Sequence, residues 1–387
     1  MNDCNSNIVV ELLFATIIVI TPITPTFATG LITDSGFVHP LQGVTTWKEI
    51  QHDYIHEDVI PWDIMFKNST HGWAVSQNKS SFGDGIILYT EDSGLSWSLQ
   101  YYNETMYLSK IFAYADTIWV TGTGGLLHSF DDGKSWEYIL IDDQMTLFSG
   151  IFFFNETLGW IGSARGLYRT VDGGMTWNRT ESYPYEGRAR DIYFATPTNG
   201  WIIHSYGIYH TSDGGDSWEK QCELTGWSFS FVSGNEAWAV GDDKLVHMTD
   251  GKTWVEQPLP PSRYGRLPYM TDINFMNKTY GWIGALSPQI AHTQNGGIDW
   301  YEQSIPGSDR IYALWFYNET LGWATGRDGR IYRTTHADLL ETYSWGISNT
   351  AIIYGVSFML IAVVAVSIIF LRFRKRPSAA SPAPDLE

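Results

Sequence analysis

Seven tryptophans, Trp73, Trp119, Trp160, Trp201, Trp238, Trp282 and Trp323, recur beside short apolar runs, mostly as Gly-Trp, at intervals of roughly 40 residues. A fixed period of that length demands repeated supersecondary units stacked on one another, because one unit cannot bury its apolar face alone. Six of the seven units carry a second signal after the Trp. It reads Thr90-Glu-Asp-Ser-Gly-Leu-Ser-Trp97, Ser129-Phe-Asp-Asp-Gly-Lys-Ser-Trp136, Thr170-Val-Asp-Gly-Gly-Met-Thr-Trp177 and Thr211-Ser-Asp-Gly-Gly-Asp-Ser-Trp218, then a shortened Thr249-Asp-Gly-Lys-Thr-Trp254 and a degenerate Thr293-Gln-Asn-Gly-Gly-Ile-Asp-Trp300. These turns are Asp-boxes.

The fourth unit shows the strand plan. Residues 191–194 alternate as a short strand, 197–200 turn, 201–204 form a second strand, 205–207 turn, 208–211 form a third, and the Asp-box leads into a fourth from Trp218. Four strands in about 40 residues is one propeller blade. The expectation is an all-β, seven-bladed β-propeller over 38–335. The last unit loses its Asp-box at Thr335-His336-Ala337 and lacks a fourth strand, while 44–50 is an orphan strand with Trp47 in the slot of Trp97. The N-terminal strand should therefore complete the last blade and remove a free sheet edge. In the Asp-boxes, Gly94, Gly133, Gly174 and Gly215 should supply positive φ, with the Asp accepting N–H bonds. Carboxylates spread round a rim are turn chemistry, so no catalytic residue is expected among them.

The ends carry targeting signals. Residues 8–20 are apolar apart from Glu11 and precede Thr26-Phe27-Ala28, so 1–28 reads as a signal peptide, or as an uncleaved anchor because no Lys or Arg precedes the run. Residues 347–371 hold no charge, enough for a transmembrane helix across ~30 Å of hydrocarbon. Arg372, Arg374, Lys375 and Arg376 follow, which makes 372–387 a basic cytoplasmic tail, 336–346 a juxtamembrane linker, and the propeller an extracytoplasmic domain of a single-pass cell-membrane protein. Glycosylation sequons at Asn68, Asn78, Asn103, Asn155, Asn178, Asn277 and Asn318 suit that placement. Turn chemistry also favours Asn, and Asn155, Asn277 and Asn318 share one repeat slot. Cys4 and Cys222 leave no disulfide pair once the signal is removed.

A net charge of −18 disfavours nucleic acid and anionic lipid as partners. Against it the arginines are uneven, with none before Arg165. Loops that lead into the innermost strand and loops between the second and third strands share one face of a propeller. They bring Arg188, Arg190, Arg263, Arg266 and Arg310, with Arg165 and Arg327, to that face, and Arg suits bidentate contact with carboxylates. They are the candidate partner-binding residues. The competing reading pairs them with Asp191, Asp272, Glu186 and Asp309. Asp63, Asp191 and Asp272 recur at the start of inner strands, where they could hold a cation or cap N–H groups. The ten histidines lack metal-ligand spacing, His210, His247 and His292 merely repeating in the third strand, so no metal and no cofactor is expected.

Gly72-Trp-Ala-Val75, Ala237-Trp-Ala-Val-Gly241, Gly322-Trp-Ala-Thr-Gly326, Asp172-Gly-Gly-Met-Thr-Trp177 and Asp213-Gly-Gly-Asp-Ser-Trp218 resemble the repeats of the photosystem II assembly and stability factor family of Asp-box propellers. The resemblance implies a non-enzymatic protein that binds a membrane-protein partner, as an assembly factor or accessory subunit, through an arginine-rich patch. It says less about role than about fold, since propellers serve many functions. An adhesive or structural surface glycoprotein is the alternative. A sialidase-like glycoside hydrolase is the enzymatic one, although Arg266-Leu-Pro268 lies mid-chain rather than in the opening position such enzymes use and seven units exceed their usual six.

Overall fold

A phenylalanine stands six residues before the Gly of five Gly-Trp pairs: Phe66/Gly72, Phe153/Gly159, Phe194/Gly200, Phe275/Gly281 and Phe316/Gly322. The computed structural model describes residues 46–51, 59–78, 83–142, 144–180, 182, 187–262, 265–266, 269–307 and 310–335. In it each such Phe faces its Gly across the first hairpin of a blade. The ring occupies the space a side chain would need. A Cβ on Gly72 or Gly159 would lie 2.5 Å from it. The ring's other face receives the indole of the preceding blade, with centroids 3.5 Å apart for Trp323 on Phe66, 3.8 Å for Trp119 on Phe153, 3.6 Å for Trp160 on Phe194, and 3.7 Å for both Trp238 on Phe275 and Trp282 on Phe316. The core therefore lies between blades, as seven apolar clusters that each join neighbouring sheets.

Seven four-stranded antiparallel sheets make the ring: blade 1 (59–103), blade 2 (108–140), blade 3 (148–179), blade 4 (189–222), blade 5 (226–257), blade 6 (270–304) and blade 7 (311–335 with 46–50). Four of the buried indoles also reach across to the next Asp-box. Trp323 Nε1 donates to the Ser93 carbonyl (2.8 Å), Trp119 to Gly173 (2.9 Å), Trp160 to Gly214 (3.0 Å) and Trp238 to Gly296 (3.1 Å). Blades 2 and 5 have Ile118 and Ala237 in place of the Gly, and glutamines relay the contact into them. Gln100 accepts from Trp73 and donates to the Asp132 carbonyl, while Gln221 accepts from Trp201 and donates to the Gly251 carbonyl. Blade 7 has no Asp-box to receive Trp282, whose buried Nε1 has no acceptor among the described residues.

The Asp-boxes fold as their sequence dictates. In the third, Thr170 Oγ1 accepts from Gly174 N–H (2.9 Å), and Asp172 accepts from Thr176 N–H (2.9 Å) and its hydroxyl. Gly94, Gly133, Gly174 and Gly215 have φ of 77°, 79°, 94° and 99°. Hydrogen bonds from Ser135 to Asp131 and from Ser217 to Asp213 hold those carboxyls at about 2, below the usual range. Closure is also as expected. Thr46–Ile50 pairs antiparallel with Ile331–Thr335, Thr46 opposite Thr335, and Trp47 donates to Gln303 Oε1 (3.0 Å) while packing edge-on against Phe316. Two details were not foreseen: the outer strand of blade 3 is only Asn178–Arg179, and a small hairpin pairs Pro261–Ser262 with Gly265–Arg266. The signal, linker, transmembrane and tail assignments lie outside the described residues, among which no helix is long and apolar enough to cross a membrane.

The third-strand histidines have a structural role. His128, His210, His247 and His292 lie against Trp119, Trp201, Trp238 and Trp282, with centroids 5.3, 4.8, 4.2 and 4.7 Å apart. Burial pushes His128 and His292 down to about 4.

Two outcomes follow. Gly159→Ala should push Phe153 off its glycine and lower unfolding stability by about 1–3 kcal/mol, measured as a shift of the urea midpoint. An unfolded histidine protonates near 6.5, so between pH ~6.5 and 4 the unfolded chain binds more protons and stability is lost as the pH is lowered. Midpoints across that range should fall less steeply in His128→Leu/His292→Leu than in the parent.

Candidate functional site at the ring mouth

Every inner strand slips register at the same place, between Pro61 and Asp63, Leu108 and Lys110, Phe148 and Gly150, Ala189 and Asp191, Gly226 and Ser228, Met270 and Asp272, and Ile311 and Ala313. A β-bulge leaves one residue without a cross-strand partner and turns it to a new direction. The seven extra residues, Trp62, Ser109, Ser149, Arg190, Trp227, Thr271 and Tyr312, all line one cavity of ≈ 490 Å³ at the mouth. Lys110, Arg188, Arg310, Tyr107 and Tyr269 line it with them. Four of the bulge side chains donate to the first residue of the next inner strand: Ser109 to the Phe148 carbonyl (2.6 Å), Ser149 to Ala189 (2.8 Å), Arg190 to Gly226 (3.1 Å) and Thr271 to Ile311 (2.7 Å). The mouth is thus stitched from blade to blade.

Its walls differ in chemistry. Trp62 stacks obliquely on Tyr312 at 5.2 Å and on Tyr107 at 6.5 Å, an aromatic wall from blades 7, 1 and 2. On the other side the Arg190 guanidinium lies 3.7 Å from the Trp227 ring, whose Nε1 donates to Asp242 (2.5 Å). Burial, then the like charge of Arg188, lowers the Arg190 pKa, with Asp242 opposing. Two guanidiniums close enough to repel make a site that gains by receiving an anion. Tyr269, 56% exposed, holds a left-handed φ of 46°, an uncommon conformation fixed by its N–H donating to the Asp242 carbonyl and its own carbonyl accepting from Leu286.

Below the mouth, Asp63, Lys110, Asp191, Ser228 and Asp272 line a channel cavity of ≈ 300 Å³. The aspartates cap strands. Asp63 accepts from Ile111 N–H (2.9 Å), Asp191 from Ile192 (3.0 Å) and Phe229 (3.2 Å), and Asp272 from Ile273 (2.9 Å), Leu314 (2.7 Å) and the Ser228 hydroxyl (2.7 Å). Burial raises Asp63 to about 6 against the pull of Lys110, and raises Asp191 and Asp272 as well. Lys110 loses by burial but gains more from Asp63, Asp191 and Asp272, so its pKa rises; its Nζ is 3.7 Å from Asp63. No group of residues suited to hold a metal occurs among the described residues.

The sequence candidates separate accordingly. Arg188, Arg190 and Arg310 meet in the mouth, and Asp191 and Asp272 are committed to capping rather than to arginines. Arg165 lines a different cavity of ≈ 380 Å³ with Arg179 and Asp142. Arg327 lies beside Asp328 at 3.4 Å. Arg263, Glu186 and Asp309 lie outside the described residues, and of Arg266 the described part is its backbone pairing with Pro261. Lys110 and the aromatic wall were missed. Looking one residue before Asp63, Asp191 and Asp272 in each unit would have found Trp62 and Arg190.

The sequons acquire a structural reason. Asn68, Asn155, Asn277 and Asn318 each accept, through Oδ1, the N–H groups two and three residues on and the hydroxyl of the sequon Thr. Asn103 accepts from Thr105 in the same way, and Asn78 donates to Asp84. Turn geometry uses the Thr as well as the Asn.

The fold and site define a class: a seven-bladed Asp-box propeller with a basic and aromatic mouth over a carboxylate-lined channel. Residues 40–147 match the family described as photosynthesis system II assembly factor YCF48. A curated relative, the photosystem II assembly lipoprotein Ycf48 of Synechococcus sp. (strain CC9902), is 29% identical over 111 residues; the match spans 27% of this chain and 31% of the relative's length. A solved structure of YCF48 bound to D1 peptide superposes with a TM-score of 0.61 at 19% identity, covering 75% of this chain and 96% of that one. A streptogramin B lyase superposes as well, with a TM-score of 0.60 at 13% identity over 76% and 99% of the two chains, so superposition defines the fold alone. Taken with the repeat motifs, the chain is a seven-bladed Asp-box propeller whose residues 40–147 resemble the photosystem II assembly factors.

Lys110→Met should leave three channel carboxylates without their cation. Because the Lys110 side chain is 30% exposed, the loss at pH 7 should be about 1–3 kcal/mol rather than the larger cost of a fully buried pair, and stability should recover as pH falls towards 5 and the raised carboxyls protonate. Urea midpoints at the two pH values test this.

Proposed function

We propose that this chain is a non-catalytic propeller that captures a segment of a membrane-protein partner at its mouth, as an assembly factor or accessory subunit. The observation that carries the reading is the set of seven bulges, which bring Arg190 and six aromatic or hydroxyl positions of different blades into one cavity with Arg188 and Arg310. An acidic side chain or chain terminus would meet the guanidiniums, and an adjacent apolar side chain would meet Trp62, Tyr107 and Tyr312. The relative solved with a bound D1 peptide supports a peptide as the ligand type. Arg165, Arg263, Arg266 and Arg327 belong to the same proposed face and would extend the contact beyond the cavity.

The same reading places a cleaved signal at 1–28, a membrane span at 347–371 and the propeller outside the membrane, supported by the uncharged run and the basic residues after it. A glycan is proposed at Asn103, on an outer strand, rather than in the inner turns built from Asn68, Asn155, Asn277 and Asn318.

Affinity isolation of the full chain from detergent-solubilised membranes tests the reading. A stoichiometric membrane-protein partner is expected, lost in Arg188→Glu/Arg310→Glu while thermal unfolding stays within about 0.5 kcal/mol of the parent. Capture retained by that folded variant, or a glycan partner in place of a protein, would overturn it.

A further inference from the structure

The Asp-box face has two features that the mouth does not explain. The first is where the chain leaves the ring. Thr334 occupies the position that begins an Asp-box elsewhere, and Thr335 ends the third strand of blade 7 directly opposite Thr46. Only residues 336–346 then separate the ring from the uncharged run 347–371, a reach of at most about 40 Å. The second is the chemistry of the turn tips. Variable positions in the Asp-boxes expose Leu95 (58%), Phe130 (58%), Val171 (65%), Met175 (44%) and Ile298 (73%). These belong to blades 1, 2, 3 and 6, the arc on either side of blade 7. Blades 4 and 5, which close the rest of the ring, carry Ser212, Asp216, Asp250 and Lys252 instead.

We infer that the Asp-box face of blades 6, 7, 1, 2 and 3 rests on the bilayer, its apolar turn tips reaching the boundary between headgroups and acyl chains while the mouth points away from the membrane. The inference rests on the spanning reading of 347–371 proposed above. Once the chain is tethered, the tips face lipid at a high effective concentration, so shallow contacts suffice. The lipid surface must be zwitterionic, since exposed Glu91, Asp116 and Glu156 share the face and would be repelled by anionic headgroups. Glycans on Asn68, Asn155, Asn178, Asn277 or Asn318 would hold this face off the bilayer, so those positions must be unmodified.

The test uses the full chain in phosphatidylcholine vesicles, with Cys4→Ser and Cys222→Ser as background and a fluorophore on single cysteines. Leu95→Cys and Ile298→Cys report the tips, Ser212→Cys the polar arc and Tyr269→Cys the mouth. Quenchers attached to the lipid chains should quench positions 95 and 298 at least threefold more strongly than 212 and 269. Equal quenching at all four, or stronger quenching at 269, overturns the inference. Alkaline carbonate washing separates the two failures: a chain stripped from the vesicles refutes the span and the inference together. A chain that stays but shows no quenching at 95 and 298 refutes the inference alone. Tips shielded by self-association, seen as a concentration-dependent mass with unquenched labels, would also overturn it.

Discussion

At four of the seven blade junctions one indole does two things at once. Its face lies on a phenylalanine of the neighbouring sheet, and its N–H ends on a carbonyl of the neighbouring Asp-box, as for Trp119 with Phe153 and Gly173. Stacking alone would leave a buried donor unsatisfied, and the hydrogen bond alone would leave the sheets free to slide. The glycine that precedes the neighbouring blade's own Trp, Gly159 in this case, is part of the same device, because it is the residue the phenylalanine ring lies on. Where the pair is missing, in blades 2 and 5, Gln100 and Gln221 bridge the same gap with an amide that both accepts and donates.

That rigid frame allows the inner strands to carry bulges without loss of the ring. At five of the seven bulges two successive residues diverge, one to the mouth and one to the channel. Arg190 and Asp191 are neighbours in sequence, yet the first meets Trp227 and the second caps Phe229. The arrangement separates charge by sign over one residue: cations with aromatic rings above, carboxylates on backbone N–H groups below, and Lys110 lining both cavities. A protein of net charge −18 thereby presents an anion-receptive surface.

Blade number, Asp-box turns and the closure by 44–50 were legible because each is a local pattern repeated at a fixed period, and repetition cancels the ambiguity of any single short strand. The mouth was half legible. Arginine placement followed from loop topology, which is why Arg188, Arg190 and Arg310 do meet there. Trp62, Tyr107 and Tyr312 did not stand out, since aromatic residues are common in these blades and nothing in a single unit marks a bulge; the extra residue shows only when register is counted across the hairpin. The sequons carry two readings at once, because Asn and Thr two residues apart build the same turn that a glycosylation signal would use.

Blade 7 has a mechanical consequence. Its third strand, Ile331–Thr335, is flanked on one side by Gly322–Gly326 and on the other by Thr46–Ile50. Ladder hydrogen bonds run perpendicular to the strands. Tension arriving through Thr335 therefore pulls along an interior strand and loads both ladders in shear, all bonds together, rather than peeling an edge one bond at a time. A ring attached at this point resists detachment with the strength of two strand pairings, although the clasp that closes it is a single five-residue strand.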